Sequence, residues 1–250
     1  MIKSITAKLS LLFILVAITT CYYEREINEE LEICFIRGGN IWIMDMDGSN
    51  QRQITFLGNT YSPSWSPDGK RIVFERADSG NTIYIINSDR TNLKQLSHTE
   101  SQYPTWSADG EKIYYYETNV THSIVTAKPD GTIIRRYTLT SSISSFSPSP
   151  DGKYIAFTKS ESTRRFSLES WSTKGLFFYN MQTGKITEHP ETTLEHLYNL
   201  CWSPDGQYII ATVLGGMGFK HTNIAIEVKG SSYFELNVTG CRPEFSPRGK

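Results

Sequence analysis

The chain has 250 residues, 12% aromatic, with a formal net charge of −1 from 25 basic and 26 acidic side chains. That length is enough for one large domain with a sizeable core. The balanced, interspersed charge argues against the basic face that nucleic-acid binding requires, though not against a local charged patch.

Taken in chain order, the first twenty residues differ in kind from the rest. Lys3 and Lys8 precede an apolar run from Leu9 to Ile18, the charged and hydrophobic regions of an export signal. The run is too short for a membrane-spanning helix, which needs about 20 apolar residues. Residues 1–20 are therefore expected to be a signal peptide. Ile18-Thr19-Thr20-Cys21 resembles the bacterial lipoprotein processing site, although Thr20 stands where that site usually has Gly or Ala. The resemblance implies lipidation of Cys21, stable anchoring to a membrane through several acyl chains, and a short tether over 21–31.

From residue 32 the chain is periodic. Trp65-Ser66-Pro67-Asp68-Gly69 returns as Trp106-Ser107-Ala108-Asp109-Gly110, Ser149-Pro150-Asp151-Gly152, Trp202-Ser203-Pro204-Asp205-Gly206 and Phe245-Ser246-Pro247-Arg248-Gly249. The spacings from the Asp position are 41, 42, 54 and 43 residues. A second series, Asp47-Gly48, Asp89-Arg90, Asp130-Gly131, Thr183-Gly184 and Lys229-Gly230, interlocks with the first. Two turn signals sharing one period mark a repeat fold.

Each unit reads as four short strands, in the second unit Tyr61–Ser66, Arg71–Arg76, Thr82–Asn87 and Leu93–Ser97. Pro67 pre-sets φ, Asp68 can bond the backbone beyond it, and Gly69 accepts positive φ, so this is a hairpin turn. Four-stranded antiparallel units of about 40–45 residues are propeller blades. The first unit begins at Glu32–Arg37, which matches a second strand. Cys241–Ser246 supplies a first strand with no unit after it. The fold expected is all-β: a five-bladed β-propeller over 32–250, closed by the C-terminal strand joining the N-terminal blade, which removes two sheet edges. The alternative is an incomplete six-bladed propeller. The blades would be 32–57 with 241–250, then 58–98, 99–139, 140–190 and 191–240. Trp65, Trp106 and Trp202 occupy one position per blade, as blade-to-blade packing requires.

The fourth unit is longer, its excess lying between strands two and three at 160–175. Antiparallel topology places all the Asp-Gly turns on one face and the irregular loops on the other. Functional residues concentrate on variable loops of a rigid scaffold, so Arg164, Arg165, Phe166 and Trp171 are the candidate partner-binding residues; Arg and aromatic side chains dominate interface energetics. A Gly-rich loop at Gly215–Lys220 shares that face.

Catalytic and metal signatures are weak. No Gly-x-Ser-x-Gly nucleophile motif occurs. Met44–Asn50 has oxygens at alternate positions but no later bidentate carboxylate, so it reads as a turn, not a calcium loop. His98, His122, His189, His196 and His221 have no metal-ligand spacing, and Cys34, Cys201 and Cys241 read as small buried hydrophobes. No catalytic residue, metal or cofactor is assigned.

The pattern Pro63-Ser64-Trp65-Ser66-Pro67-Asp68-Gly69-Lys70-Arg71-Ile72-Val73-Phe74 resembles the WD40-like Pro-Asp repeat of TolB-type propellers. It recurs at Pro104–Tyr115 and, degraded, at Cys201–Ala211. The resemblance implies a non-catalytic interaction scaffold of the periplasm or cell surface, membrane-anchored as a lipoprotein, whose partner is an envelope protein or glycan. The same blades occur in propeller peptidases and surface-layer proteins. The rival readings are a saccharide lyase or glycosidase with an axial active site, and a ligand-sensing propeller. Against TolB, only Tyr22–Leu31 stands ahead of the propeller, and there are five units where TolB has six blades.

Overall fold

The computed structural model describes residues 32–118, 122–165, 168–190, 196–213 and 222–236, and from 160 to 174 the backbone alone. Those residues form five antiparallel sheets arranged as a β-propeller. The first contains β1 (Glu32–Arg37), β2 (Asn40–Asp45) and β3 (Arg52–Gln53). The second contains β4 (Thr60–Trp65), β5 (Arg71–Ala77), β6 (Asn81–Asn87) and β7 (Lys94–Gln95). The third contains β8 (Ser101–Trp106), β9 (Ile113–Glu117), β10 (Ser123–Ala127) and β11 (Ile133–Thr138). The fourth contains β12 (Ile143–Pro148), β13 (Tyr154–Arg165), β14 (Leu168–Asn180) and β15 (Ile186–Glu188). The fifth contains β16 (Leu197–Trp202), β17 (Tyr208–Val213), β18 (Thr222–Glu227) and β19 (Tyr233–Glu235). The closing strand expected over 241–246 lies outside the described residues.

The first strands line the axis, since β4 packs beside β8, β8 beside β12 and β12 beside β16. The second and third strands carry the core because both their faces look onto a neighbouring blade. They therefore read as near-continuous apolar runs, not as alternating ones. Ile72, Val73 and Phe74 are fully buried in β5, and Ile113, Tyr114, Tyr115 and Tyr116 are buried in β9. Four apolar clusters fill the successive interfaces. Ile41, Ile43 and Phe74 lie between the first and second blades. Ile85, Trp106 and Tyr115 follow between the second and third, and Tyr114, Phe157 and Phe177 between the third and fourth. Leu176, Trp202 and Ile224 lie between the fourth and fifth.

The repeated tryptophan links blades with a hydrogen bond as well as with its ring. Trp106 Nε1 donates to the Ser64 carbonyl at 3.2 Å, and Trp202 Nε1 donates to the Ser147 carbonyl at 3.0 Å. Each bond joins the first strand of one blade to that of the blade before it. Cys34 and Cys201 are half-buried, less enclosed than small core residues.

The Asp-Gly turns are built alike. The Ser66, Ser107, Ser149 and Ser203 hydroxyls donate to Asp68, Asp109, Asp151 and Asp205 at 2.5, 2.5, 2.7 and 2.5 Å. Each carboxylate also accepts the amide N–H two residues on, as from Glu111 to Asp109 at 3.0 Å. The Ser107 hydroxyl and then the Glu111 amide hold the Asp109 carboxyl below the usual carboxylate range. Ser203 and Gln207 do the same for Asp205. A carboxyl depressed in the fold contributes stability above its unfolded pKa of about 3.9, and that stability is lost as pH falls through the folded value. The urea midpoint is thus expected to fall below about pH 4, and Ser107→Ala with Ser203→Ala to flatten that fall. An acid transition unchanged by the double substitution would refute the role of these turns.

Candidate interaction face

The two ends of the propeller differ in chemistry. On the turn face, the Asp, Ser and Asn side chains of the turns bond within their own turns. Asp45, for example, accepts from Ser49 at 3.3 Å and from Asn50 at 2.6 Å, so the stretch expected to be a turn is one. The opposite face carries the connections between second and third strands. In the first blade this is Gly38-Gly39, and in the second it is Asp78-Ser79-Gly80.

In the fourth blade the sequence predicts an irregular loop there, and the structure corrects this. Strands β13 and β14 run on as a two-stranded ribbon, paired continuously from Lys159↔Lys174 to Arg165↔Leu168. The blade's own flanking strands stop short of it. β12 pairs with β13 only as far as Lys159, and β15 pairs with β14 only as far as Phe177. The ribbon therefore stands beyond the blade as an arm of six residues per strand, about 20 Å at 3.3 Å per residue.

A local break in register positions the arm. Between Phe157↔Phe177 and Lys159↔Lys174 the ladder slips, so Thr158 stands opposite both Gly175 and Leu176. Such a bulge bends the strand and re-aims the residues beyond it. Gly175 has φ +64°, and a Cβ there would lie 2.9 Å from Phe177 Cε2, so a side chain is excluded by both conformation and space. Around the bulge, Phe157 stacks on Phe177 with ring centroids 5.6 Å apart. Lys159 Nζ sits 4.0 Å from the centre of the Phe177 ring. The buried Thr158 hydroxyl has no hydrogen-bond partner among the described residues.

Of the residues predicted to bind a partner, Arg164 and Arg165 end β13, and Trp171 lies in β14. The backbone register puts Arg164 opposite Glu169, Arg165 opposite Leu168 and Trp171 opposite Ser162. Phe166 and Cys21 lie outside the described residues, as does the Gly215–Lys220 loop. Sequence reasoning missed the ribbon because its strands are Ser/Thr-rich without apolar alternation. In sequence, Phe166-Ser167 between them also lacks the Asn-Gly or Asp-Gly signal of a tight hairpin. The unbroken absence of Gly and Pro from Ser160 to Lys174 is the one local feature that favours strand over loop.

Nearer the axis, the first strands of the second, third and fifth blades each bulge at one position. Ser62, Tyr103 and Asn199 have φ of 49°, 56° and 53° there. The Glu75 carboxylate, 6% exposed, accepts the Tyr103 N–H at 2.6 Å and so ties the second blade to the bulge of the third. At the matching place in the third blade, the Tyr116 hydroxyl shares a 2.6 Å hydrogen bond with His122 Nδ1. Burial pushes the Tyr116 hydroxyl above its ordinary pKa, so it stays protonated. His189 is buried between the fourth and fifth blades, its Nε2 at 2.7 Å from the Glu227 carbonyl. Among the described residues, no three His, Cys, Asp or Glu side chains group as metal ligands.

The family model described as the TolB beta propeller domain matches residues 36–188, more than half of the chain. Among solved structures, TolB from Acinetobacter baumannii superposes with a TM-score of 0.61 at 19% identity, covering 81% of this chain and 50% of that one. A protein assigned as TolB from Agrobacterium tumefaciens has a TM-score of 0.54 at 21% identity, covering 67% and 62%. The chain thus spans less than two thirds of either. An oligogalacturonate lyase in complex with manganese has a TM-score of 0.55 at 16% identity, covering 77% and 55%. At these identities the likeness is one of fold. No curated protein matches the sequence.

Proposed function

The chain belongs to the TolB beta propeller family, and from that premise we propose that it is a non-catalytic interaction scaffold of the cell envelope. One observation carries this reading. The repeat is broken by an arm that projects from the variable face, mounted on a bulge and a stacked Phe157–Phe177 pair. An isolated two-stranded ribbon is at best marginally stable in water, so a contact surface is its natural use. Arg164, Arg165, Phe166 and Trp171 supply the residue types that dominate interface energetics. The partner is an envelope protein or glycan. Lys3, Lys8 and the apolar run to Ile18 support export, and Cys21 supports a lipid anchor holding the propeller at the periplasmic or outer surface of a membrane.

The test replaces residues 161–173 with the short Gly-Gly-Asn connection of the first blade and compares crosslinked partners captured from the intact envelope. The arm-less protein is expected to fold and to lose its principal partner at least tenfold, about 1.4 kcal/mol. An unchanged capture profile would sink the reading. In the same cells Cys21→Ala is expected to move the protein from the membrane to the soluble fraction. A saccharide-cleaving propeller is the rival reading, supported by the fold likeness to the lyase. Turnover of a saccharide by the arm-less protein would favour it.

A further inference from the structure

The outer edge of the third blade departs from a rule that the other four keep. The outer strands β3, β7, β15 and β19 have two or three residues each. β11 has six. Very short outer strands are one way that sheet proteins avoid recruiting foreign strands, because an exposed edge offers a row of unpaired N–H and C=O groups. One edge of β11 pairs with β10 from Ser123↔Thr138 to Ala127↔Ile133. Among the described residues no strand pairs with its other edge.

The edge carries two of the usual protections, charge at Arg135 and Arg136 and a bulge at Ile134, but it keeps its length and exposes apolar side chains. Ile133 and Ile134 are 41% and 47% exposed. Ile134 is the extra residue of a bulge between Thr126↔Arg135 and Ala127↔Ile133, which leaves Arg135–Thr138 as the regular edge. Ile134 also lines a surface depression of about 460 Å³ shared with Lys112 and Lys128 and with Glu111 and Asp130, so among the described residues the free positive charge of the edge is that of Arg135. The Arg135 guanidinium stacks 5.1 Å from the centre of the Tyr137 ring, which holds its charge at the edge. Arg136 is engaged by Glu117 at 2.9 and 3.2 Å.

We propose that β11 is a docking edge that takes an extended peptide segment of a partner protein by strand addition. Main-chain hydrogen bonds would give the affinity, and alternate side chains the specificity. Charge selects the occupant. A second copy paired antiparallel about a two-fold axis near the middle of the edge would bring Arg135 opposite or diagonal to its own copy, within about 5–8 Å, where like charges are destabilising. A segment with an acidic residue facing Arg135 and apolar ones facing Ile133 and Ile134 meets complementary groups at those positions. The edge belongs to the third blade and the arm to the fourth.

The probe is a fluorescein-labelled ten-residue peptide alternating Val and Glu, titrated against the full-length protein by fluorescence anisotropy. Controls are the matching Val and Lys peptide and a Val–Glu peptide interrupted by two prolines. The Val–Glu peptide is expected to bind at least tenfold more tightly than either control. Arg135→Glu, which spares the Arg136–Glu117 pair, should reverse the preference between the Glu and Lys peptides. Absence of binding, equal binding by the proline-interrupted peptide, or an unchanged preference in Arg135→Glu would each overturn the proposal. The arm-less protein should bind the peptide unchanged. Loss of binding there would place the contact on the arm and overturn the edge assignment.

Discussion

Phe157→Ala is expected to lower the unfolding free energy by about 3–5 kcal/mol, the range for emptying a buried aromatic site. For a chain of this size that corresponds to a fall in Tm on the order of 10 °C. Phe157 is 1% exposed. It sits among Tyr114, Tyr116, Ile155 and Phe177 between the third and fourth blades. Phe157 and its neighbours sit on strands held in register by the ladders of their own sheets, so the cavity cannot be closed by a small sliding of one strand and the cost should stay high. Phe56, 71% exposed, is the control, and Phe56→Ala should change stability by less than about 0.5 kcal/mol. Urea unfolding of the two variants decides the matter. A cost below about 1 kcal/mol for Phe157→Ala would mean that the blades unfold independently, not as one cooperative core.

Removing residues 241–250 is expected to abolish cooperative unfolding of the whole propeller. The first sheet has three described strands where the others have four, and Ile33 and Ile36 on β1 are 39% and 38% exposed. The repeat assigns the missing position to 241–246. A finer test uses the tryptophan pattern. Trp106 and Trp202 Nε1 each find a carbonyl on the preceding blade, while the buried Trp65 Nε1 has no partner among the described residues. Counting back from Arg248 as Ser64 stands to Asp68, the matching carbonyl is that of Glu244. Trp65→Phe should therefore cost about as much as Trp106→Phe, on the order of 1 kcal/mol for one hydrogen bond. A neutral or stabilising Trp65→Phe, with a costly Trp106→Phe, would show that Trp65 has no such acceptor and that 241–246 does not complete the first blade.

The repeat made the architecture legible from residues alone. Pro67-Asp68-Gly69 and its copies punctuate the chain because their side chains bond their own backbone, so the turn needs no distant partner. Arg71–Phe74 and Ile113–Tyr116 likewise announce strands buried on both faces. Local chemistry of this kind is written in sequence order, and it determined the blade count, the strand order and the turn face. It also marked where the repeat breaks, at 160–175.

The form that the break takes was decided by tertiary structure. Ser160–Arg165 and Leu168–Lys174 have no apolar period to declare a strand. Their ladder exists because β13 and β14 are already paired by the blade beneath them, and extending a formed ladder costs far less than starting one. The bulge at Thr158 and Gly175 has the same origin. Likewise, nothing in Ile133-Ile134-Arg135-Arg136 says that it is the longest outer edge, since that depends on how far β10 offers it partners. The bond from the Tyr103 N–H to Glu75 joins residues 28 apart, and no local pattern predicts it. Sequence specified what each segment can bond within itself; only packing between blades settled which backbone edges and polar groups remain available to a partner.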